Sequence, residues 1–407
     1  MLLAVGVVIF MAWSFARMGL ANSASVRTDD KDIALVLTDI APNDPQAHYT
    51  AAVFLEKSFD PGDIERALHE YQLATALAPE NYLYWLELGR ARERSGDSTG
   101  AEGALRKALE LAPNYARVQW ALGNALLRQG RVDEGFVEIK KAIASDPTSY
   151  SNASAITAWQ FFEGDTAAID RAVGDSPRFD GSLALLLAQE KRFDEAIKTW
   201  REIAVDDRKS LLADTAQTLA GKFLAEKKFR FAAEILADSS DPNSAPEIGG
   251  VNNGGFESAV KSDTPGPFEW KIVAGLQPQI VLTNGQKHGG NNSILFVFNS
   301  GDAKDFRTIS QTVAVEPGVA YDVEIFYRSD LKTSAIFRWE VADPDGRPLA
   351  LSDPISIKTD WTPLRIRFTV PPNVEGVIVR LVREGCSQVC SVNGSLWFDD
   401  ISIKPAQ

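Results

Sequence analysis

The spacing of apolar residues changes once along this chain. Through residue 238 they recur at intervals of three and four, the period that gathers them on one face of an α-helix. After residue 250 they alternate with polar residues, the period of a half-buried strand. Between the two lies Ser239–Gly250, SSDPNSAPEIGG, where crowded Ser, Pro, Asp and Gly predict a helix end and a boundary. Beyond it, Tyr321–Tyr327, Leu364–Val370 and Val377–Leu381 each alternate strictly. Turn residues separate them at Glu316-Pro-Gly318, Asp343-Pro-Asp-Gly346 and Val370-Pro-Pro372. Short alternating strands with frequent turns predict an antiparallel β-sandwich.

The helical half repeats itself. Pro79, Pro113 and Pro147 stand 34 residues apart, each closing a similar phrase. One copy reads Trp85, Leu88, Gly89, Gly96, Ala101, Leu105, Ala108, Pro113; the next reads Leu122, Gly123, Gly130, Gly135, Ile139, Ala142, Pro147; the copy before shows Ala67, Tyr71, Ala74, Pro79. Small residues let two antiparallel helices approach, large ones fill between them, and proline stops the second helix because it lacks an N–H and clashes with the preceding turn. A helix pair cannot bury its apolar face alone, so such units stack. In length and residue types these copies match the tetratricopeptide repeat. Leu183–Ala204 and Leu219–Ala237 read as degenerate units, and Ala155–Val173 as another with its turn at Gly164-Asp165, giving five or six helix pairs curved into a solenoid. The resemblance implies a concave groove lined from the first helix of each unit, here Arg90, Arg117, Trp120, Asn124 and Arg128, that grips a protein partner. The fuller basic and Asn set of that family's chaperone-tail clamps is not intact in this sequence.

Residues 1–21 are mostly apolar, with Arg17 as the single charge. The stretch is borderline for the roughly 20 residues a spanning helix needs, and it lacks the basic start of a signal peptide. It reads as a membrane anchor or a signal segment, with anchor the preferred expectation and small residues Ala21-Asn-Ser-Ala24 offering a weak cleavage site.

In the β half, Asn253-Gly-Gly-Phe-Glu257 and Trp397-Phe-Asp-Asp-Ile401 bracket about 150 residues that also hold Gly289-Gly-Asn-Asn-Ser293, Ile309-Ser-Gln-Thr-Val313, Pro317-Gly318 and Phe368-Thr-Val-Pro371. This ordered set resembles the jelly-roll carbohydrate-binding modules of families 4 and 9 and their galactose-binding-like relatives. The resemblance implies a structural calcium held by Glu257 and Asp399 or Asp400, with a metal-free hydrogen-bonded cap as the alternative. Calcium takes oxygen ligands in a loose shell. Simple alternation puts Asp399 inward, with Ile401 and Ile403, and Asp400 on the opposite face. The resemblance also implies a glycan site built on aromatic platforms, for which Trp270, Phe326 and Trp361 are the candidates; Tyr327 and Trp339 share parity with core positions. Arg365, Arg367 and Arg380 point away from the apolar side, where they would hold an acidic polysaccharide or pair across strands with Glu324 and Glu340.

Charge narrows the possibilities. The formal net charge is -13, with 18 Asp and Glu against 15 Lys and Arg from Gly250 onward, about -3 there and about -10 before it. Phosphate backbones demand clustered Lys and Arg, so no nucleic acid partner is expected. The cysteines, Cys386 and Cys390, sit in one loop-like stretch and read as a local disulfide of an oxidising compartment or as two reduced thiols. The histidines are His48, His69 and His288, and no Gly-rich phosphate loop, nucleophile elbow or zinc-ligand helix occurs. The sequence therefore predicts a multidomain α-then-β protein: anchor or signal over 1–21, linker or first helix over 22–44, three repeats over 45–147, degenerate helical repeats over 148–238, linker over 239–250, sandwich over 251–405. A non-enzymatic adaptor of the cell envelope is expected, periplasmic or at the surface. It would join a protein to a polysaccharide without a catalytic cofactor. A purely structural scaffold, or an accessory subunit of a glycoside hydrolase, is the alternative.

Overall fold

The computed structural model describes residues 2–58, 60, 62–240, 245–261, 264–300, 306–384 and 390–406. Packing divides the chain into two compact units, Met1–Leu183 and Ala184–Gln407.

In the first unit, α1 (Leu2–Arg27) and α2 (Lys31–Ile40) precede a run of helix pairs: α3 (Pro45–Glu56) with α4 (Asp63–Leu77), α5 (Tyr82–Arg94) with α6 (Ser98–Leu111), α7 (Ala116–Arg128) with α8 (Val132–Ser145), and α9 (Pro147–Phe161) with α10 (Thr166–Val173). Each repeat proline stands two residues past a helix end: Pro79 after Leu77, Pro113 after Leu111, Pro147 after Ser145. Side chains of Asp44, Asn81, Asp97, Asp146 and Asp165 accept from the first free N–H groups of the helices they precede. Gly89 and Gly123 set how close the paired helices lie. A β-carbon on Gly89 would fall 2.6 Å from Leu105 Cγ, and one on Gly123 2.9 Å from the Gly135 carbonyl oxygen.

The spanning anchor expected over 1–21 is not supported: among the described residues no helix is long and apolar enough to cross a membrane. Nor does the helix stop near residue 21. It runs on to Arg27, and its last turns join the array. Ala21 is buried with Leu37, Ala41 and Ala47, Asn22 Nδ2 donates to Asp44 Oδ1 at 3.1 Å, and the Ser25 carbonyl accepts from Thr50 Oγ1 at 3.2 Å.

The second unit begins within α11 (Pro177–Gln189) and continues through α12 (Phe193–Glu202), α13 (Val205–Ser210), α14 (Ala213–Ala225) and α15 (Phe229–Ser239). The strands follow: β1 (Lys271–Ile272), β2 (Gln279–Thr283), β3 (Ser293–Ser300), β4 (Ile309–Ala314), β5 (Ala320–Ser329), β6 (Lys332–Thr333), β7 (Ile336–Ala342), β8 (Pro348–Leu351), β9 (Lys358–Thr369), β10 (Gly376–Glu384) and β11 (Val392–Pro405). They form two antiparallel sheets, ordered β1-β4-β10-β7-β8 and β2-β3-β11-β5-β9, with β6 paired to β11. The inner faces enclose a core with Phe256, Trp270, Phe296, Trp339 and Phe398. The last helix packs on the first of these sheets. Phe229 lies against Gly376, where a β-carbon would come within 2.6 Å of its ring, and Lys228 and Arg230 pair with Glu375 and Glu316 at 3.0 Å each.

Candidate functional site

In the first unit the first helices of successive pairs line a concave cavity of about 720 Å³. Arg90 and Glu93 come from α5; Arg117, Trp120, Asn124 and Arg128 from α7; Tyr150 from α9. All five groove residues expected from sequence thus face one space. The 34-residue period guarantees this, since equivalent helices stack in parallel and present equivalent faces. The cations are paired but outnumber their partners, four arginines to three glutamates. Arg90 and Arg117 flank the buried Glu87 at 3.1 and 2.7 Å, Arg128 pairs with Glu93, and Arg94, also in the wall, pairs with Glu56. Burial lowers the Arg94 pKa. Trp120 and Tyr150 meet with ring centroids 5.3 Å apart, and Asn124 Nδ2 donates to the Trp120 carbonyl at 2.8 Å. The aromatic wall contributed by Tyr150 was not read from the sequence; its place two 34-residue periods after Tyr82 was the available signal.

In the second unit the notable surface is the outer face of the sheet β2-β3-β11-β5-β9. A bulge in β11 shapes it. Phe398 pairs with Tyr327 and Asp399 with Phe326, but Ser402 pairs with Glu324, so one extra residue enters between them. Asp400 absorbs it at φ 46°. Simple alternation across that stretch therefore fails. Asp399 shares the outer face with Phe326, while Ile401 and Ile403 return to the core. Asp399 is nonetheless fully buried, because the loop before β3 closes over it. Its Oδ2 accepts from the N–H groups of His288 at 2.8 Å and Gly289 at 3.1 Å, and its Oδ1 from Asp400 N–H at 2.8 Å. Burial raises the Asp399 pKa against the opposing pull of these donors. Glu257 Oε1 accepts from Asn292 and Asn291 N–H at 3.0 and 2.8 Å, which lowers its pKa.

The three carboxylates expected to hold calcium do gather here. A β-carbon on Gly255 would lie 3.4 Å from Asp400 Oδ1, 3.9 Å from Glu257 Cγ and 4.0 Å from Asp399 Oδ1. Yet five backbone N–H groups point into Glu257 and Asp399, and His288 Nδ1 sits 2.6 Å from Asp400 Oδ2. These N–H groups take five of the roughly eight acceptor sites of the two carboxylates. Among the described residues no group of three or more His, Cys, Asp or Glu is placed to hold a metal, so the calcium expectation is not supported and the hydrogen-bonded cap is what the residues form.

Of the aromatic candidates, Trp270 is in the core, 2% exposed, stacked on Phe256 and donating Nε1–H to the Asn253 carbonyl at 3.1 Å. It is no platform. Phe326 lies on the outer face, but His288 stacks on it at 3.7 Å with planes 13° apart. Trp361 stands edge-on to His288 at 6.0 Å. Trp397 is half-buried on the same face, with the Arg328 guanidinium 5.9 Å from its ring. The arginines expected to reach a ligand are spoken for: Arg365 by Glu324 at 2.8 Å, Arg367 by both oxygens of Asp322 at 2.7 and 2.6 Å, Arg380 by Glu340 at 2.6 Å. Arg380 is moreover on β10, in the other sheet. His288, Arg328 and Trp397 were missed. The parity of Arg328 with Phe326 was readable, whereas His288 reaches the face only through the fold of its loop. Cys386 lies outside the described residues, so the expected Cys386–Cys390 disulfide does too; Cys390 itself is buried.

Comparison with known proteins agrees with the helical geometry. The Tetratricopeptide repeat family model matches residues 59–116 and 89–150. Residues 59–150 are tetratricopeptide repeats. The chain is 34% identical over 102 residues to "BBSome complex member bbs-4" of Caenorhabditis elegans, covering 25% of this chain and 21% of that protein. It is 32% identical over 88 residues to "E3 ubiquitin-protein ligase CHIP" of Arabidopsis thaliana, covering 21% and 32%. The chain thus spans about a third or less of the length of these relatives. Among solved structures, one similar to the helical part is "Crystal structure of YrrB: a TPR protein with an unusual peptide-binding site", at 17% identity, covering 52% of this chain and 92% of that one, TM-score 0.27. The sandwich is similar to "CBM4 structure and function", at 15% identity, 38% and 99% coverage, TM-score 0.30. It is also similar to "TmCBM61 in complex with beta-1,4-galactotriose", at 17% identity, 38% and 96% coverage, TM-score 0.29.

Proposed function

We propose that this chain is a non-enzymatic adaptor whose tetratricopeptide groove binds a protein segment and whose sandwich binds a glycan. The observation that carries the reading is the outer sheet face, where Trp361, His288 and Trp397 lie among hydrogen-bonding side chains. Aromatic rings take the apolar C–H face of a sugar while polar groups take its hydroxyls. The groove of the tetratricopeptide repeats, with Trp120, Tyr150 and four arginines, suits a partner segment carrying carboxylates beside an aromatic or apolar side chain. The setting we propose is the cell envelope outside the cytoplasm, in polysaccharide synthesis, export or surface attachment; the close spacing of Cys386 and Cys390 supports it. Cell fractionation tests that setting.

A glycan array probed with the full chain tests the sugar half. Binding abolished by Trp361→Ala, with an unchanged melting temperature, is the expected result; no binding to any neutral or acidic glycan would sink it. For the groove, acidic and neutral peptides of matched length are compared by titration. Trp120→Ala and Arg128→Glu should each weaken acidic-peptide binding by about tenfold. A second reading, a protein scaffold without sugar contacts, draws on one observation: Arg365, Arg367 and Arg380 are each neutralised by carboxylates of the sandwich itself.

A further inference from the structure

Sorting the arginines of the outer sheet face by their partners leaves one that differs. Arg365 and Arg367 are held by carboxylates on the neighbouring strand. Arg328, four and six residues along β5 from their partners Glu324 and Asp322 and on the same face, makes no ion pair among the described residues. Its one hydrogen-bond partner there is a neutral amide: Nη1 donates to Gln286 Oε1 at 2.6 Å. That bond fixes the guanidinium in place without cancelling its charge. The group stands 5.9 Å from the Trp397 ring, on the strand position directly opposite Trp397. On its other side runs the irregular stretch of β9 between Lys358 and Thr362, which carries Trp361. One cation is thus set beside Trp397, on the strand next to the stretch that carries Trp361, half-buried and with donors to spare. Two residues along β5 from Arg328, about 7 Å away, comes the Phe326–His288 stack.

We propose, on the reading that this face binds a glycan, that Arg328 is the residue that selects an acidic one: a polysaccharide whose uronic acid carboxylate pairs with the guanidinium while the sugar rings lie on Trp361 and Trp397. The chemistry follows from the geometry. A guanidinium presents paired N–H donors that match a carboxylate, and partial removal from water strengthens that bond. A neutral glycan gains nothing from a charge held at this point. Sequence alone had pointed to Arg365, Arg367 and Arg380 for this task, and their cross-strand carboxylates disqualify them.

The test uses the full chain, polygalacturonate, and the same polymer after chemical reduction of its carboxyl groups to primary alcohols. Titration calorimetry at fixed low salt should show the wild type preferring the acidic polymer by about tenfold. Arg328→Gln should bring the two affinities together by weakening only the acidic one. Retained binding to the reduced polymer then shows that the variant is folded. Equal affinities in the wild type, unmoved by Arg328→Gln, overturn the charge selection while leaving glycan binding standing. A preference that survives Arg328→Gln but is lost in Arg365→Gln or Arg367→Gln assigns selection elsewhere and also overturns it. No binding to either polymer, with alginate likewise silent, overturns this proposal together with the reading it rests on.

Discussion

His48 is buried in the first unit, with Nδ1 2.5 Å from Glu70 Oε2 and Nε2 2.9 Å from the Pro42 carbonyl. Burial opposes charge on the ring, but Glu70 and Pro42 outweigh it, and the pKa is raised. The sign follows from linkage. A folded-state pKa above the unfolded value of about 6.5 means that the folded protein holds the proton more tightly. The stabilisation is whole below about pH 6.5 and fades as pH rises through the raised folded value. Melting curves from pH 5 to 8 should therefore show the array losing stability with pH, and His48→Gln should flatten that slope. Asp399 makes a second case. Asp399→Ala would leave three N–H groups without this acceptor, two in the closed loop and one at the β11 bulge, each costing about 1–3 kcal/mol where buried. We expect the sandwich melting temperature to drop by several degrees in that variant. EDTA should leave the wild-type value unchanged, because N–H donors hold these carboxylates; a marked fall on chelation would show a bound cation.

At the scale of elements, helix pairs owe their closeness to glycines rather than to large residues. A side chain at Gly123 would run into Ile139 Cγ1 at 2.8 Å and the Gly135 carbonyl oxygen at 2.9 Å, and a carbonyl in a packed helix cannot step aside as a side chain can. Gly123→Ala should destabilise the first unit by about 1–3 kcal/mol, read from urea unfolding. Gly103, with nothing within 4 Å of a β-carbon, should accept alanine without loss and serves as the control. Strands tell the opposite story about what local pattern reveals. β5 keeps strict alternation, so Tyr321, Val323, Ile325 and Tyr327 are buried as its sequence implies. β11 does not, because Asp400 inserts a bulge beside the close approach of Gly254, whose carbonyl accepts from Ile401 N–H at 3.0 Å.

Over the whole molecule, secondary structure and compact packing divide the chain at different places. Periodicity switches near residue 250, but the second compact unit begins at Ala184, with α15 packed beside β4. Phe229 fills the space left by Gly376, flanked by Lys228–Glu375 and Arg230–Glu316. The exposed parts of those ion pairs add little, about 0–1 kcal/mol each, so the apolar contact carries most of the docking. A sandwich fragment beginning at Val251 should accordingly melt several degrees below the sandwich transition of the full chain by calorimetry. Equal melting temperatures would mean that the helical hairpin lends it no support.

What the sequence by itself determined is everything that depends on period and on local stereochemistry. The 34-residue repeat placed five groove residues on one face, since identical units stack in register. Pro and Gly marked helix ends and turns, and alternation assigned the core strands. What only the tertiary structure decided is which charges and rings remain available. Trp270 is equally aromatic in either place, but packing put it in the core. Arg365 and Arg367 met acids brought opposite by strand register, whereas Arg328 met a tryptophan and an amide. His288, more than a hundred residues from Asp400, joined the face through a loop whose path no local pattern encodes. Such pairings are set by long-range contacts, and a one-residue bulge is enough to reverse them.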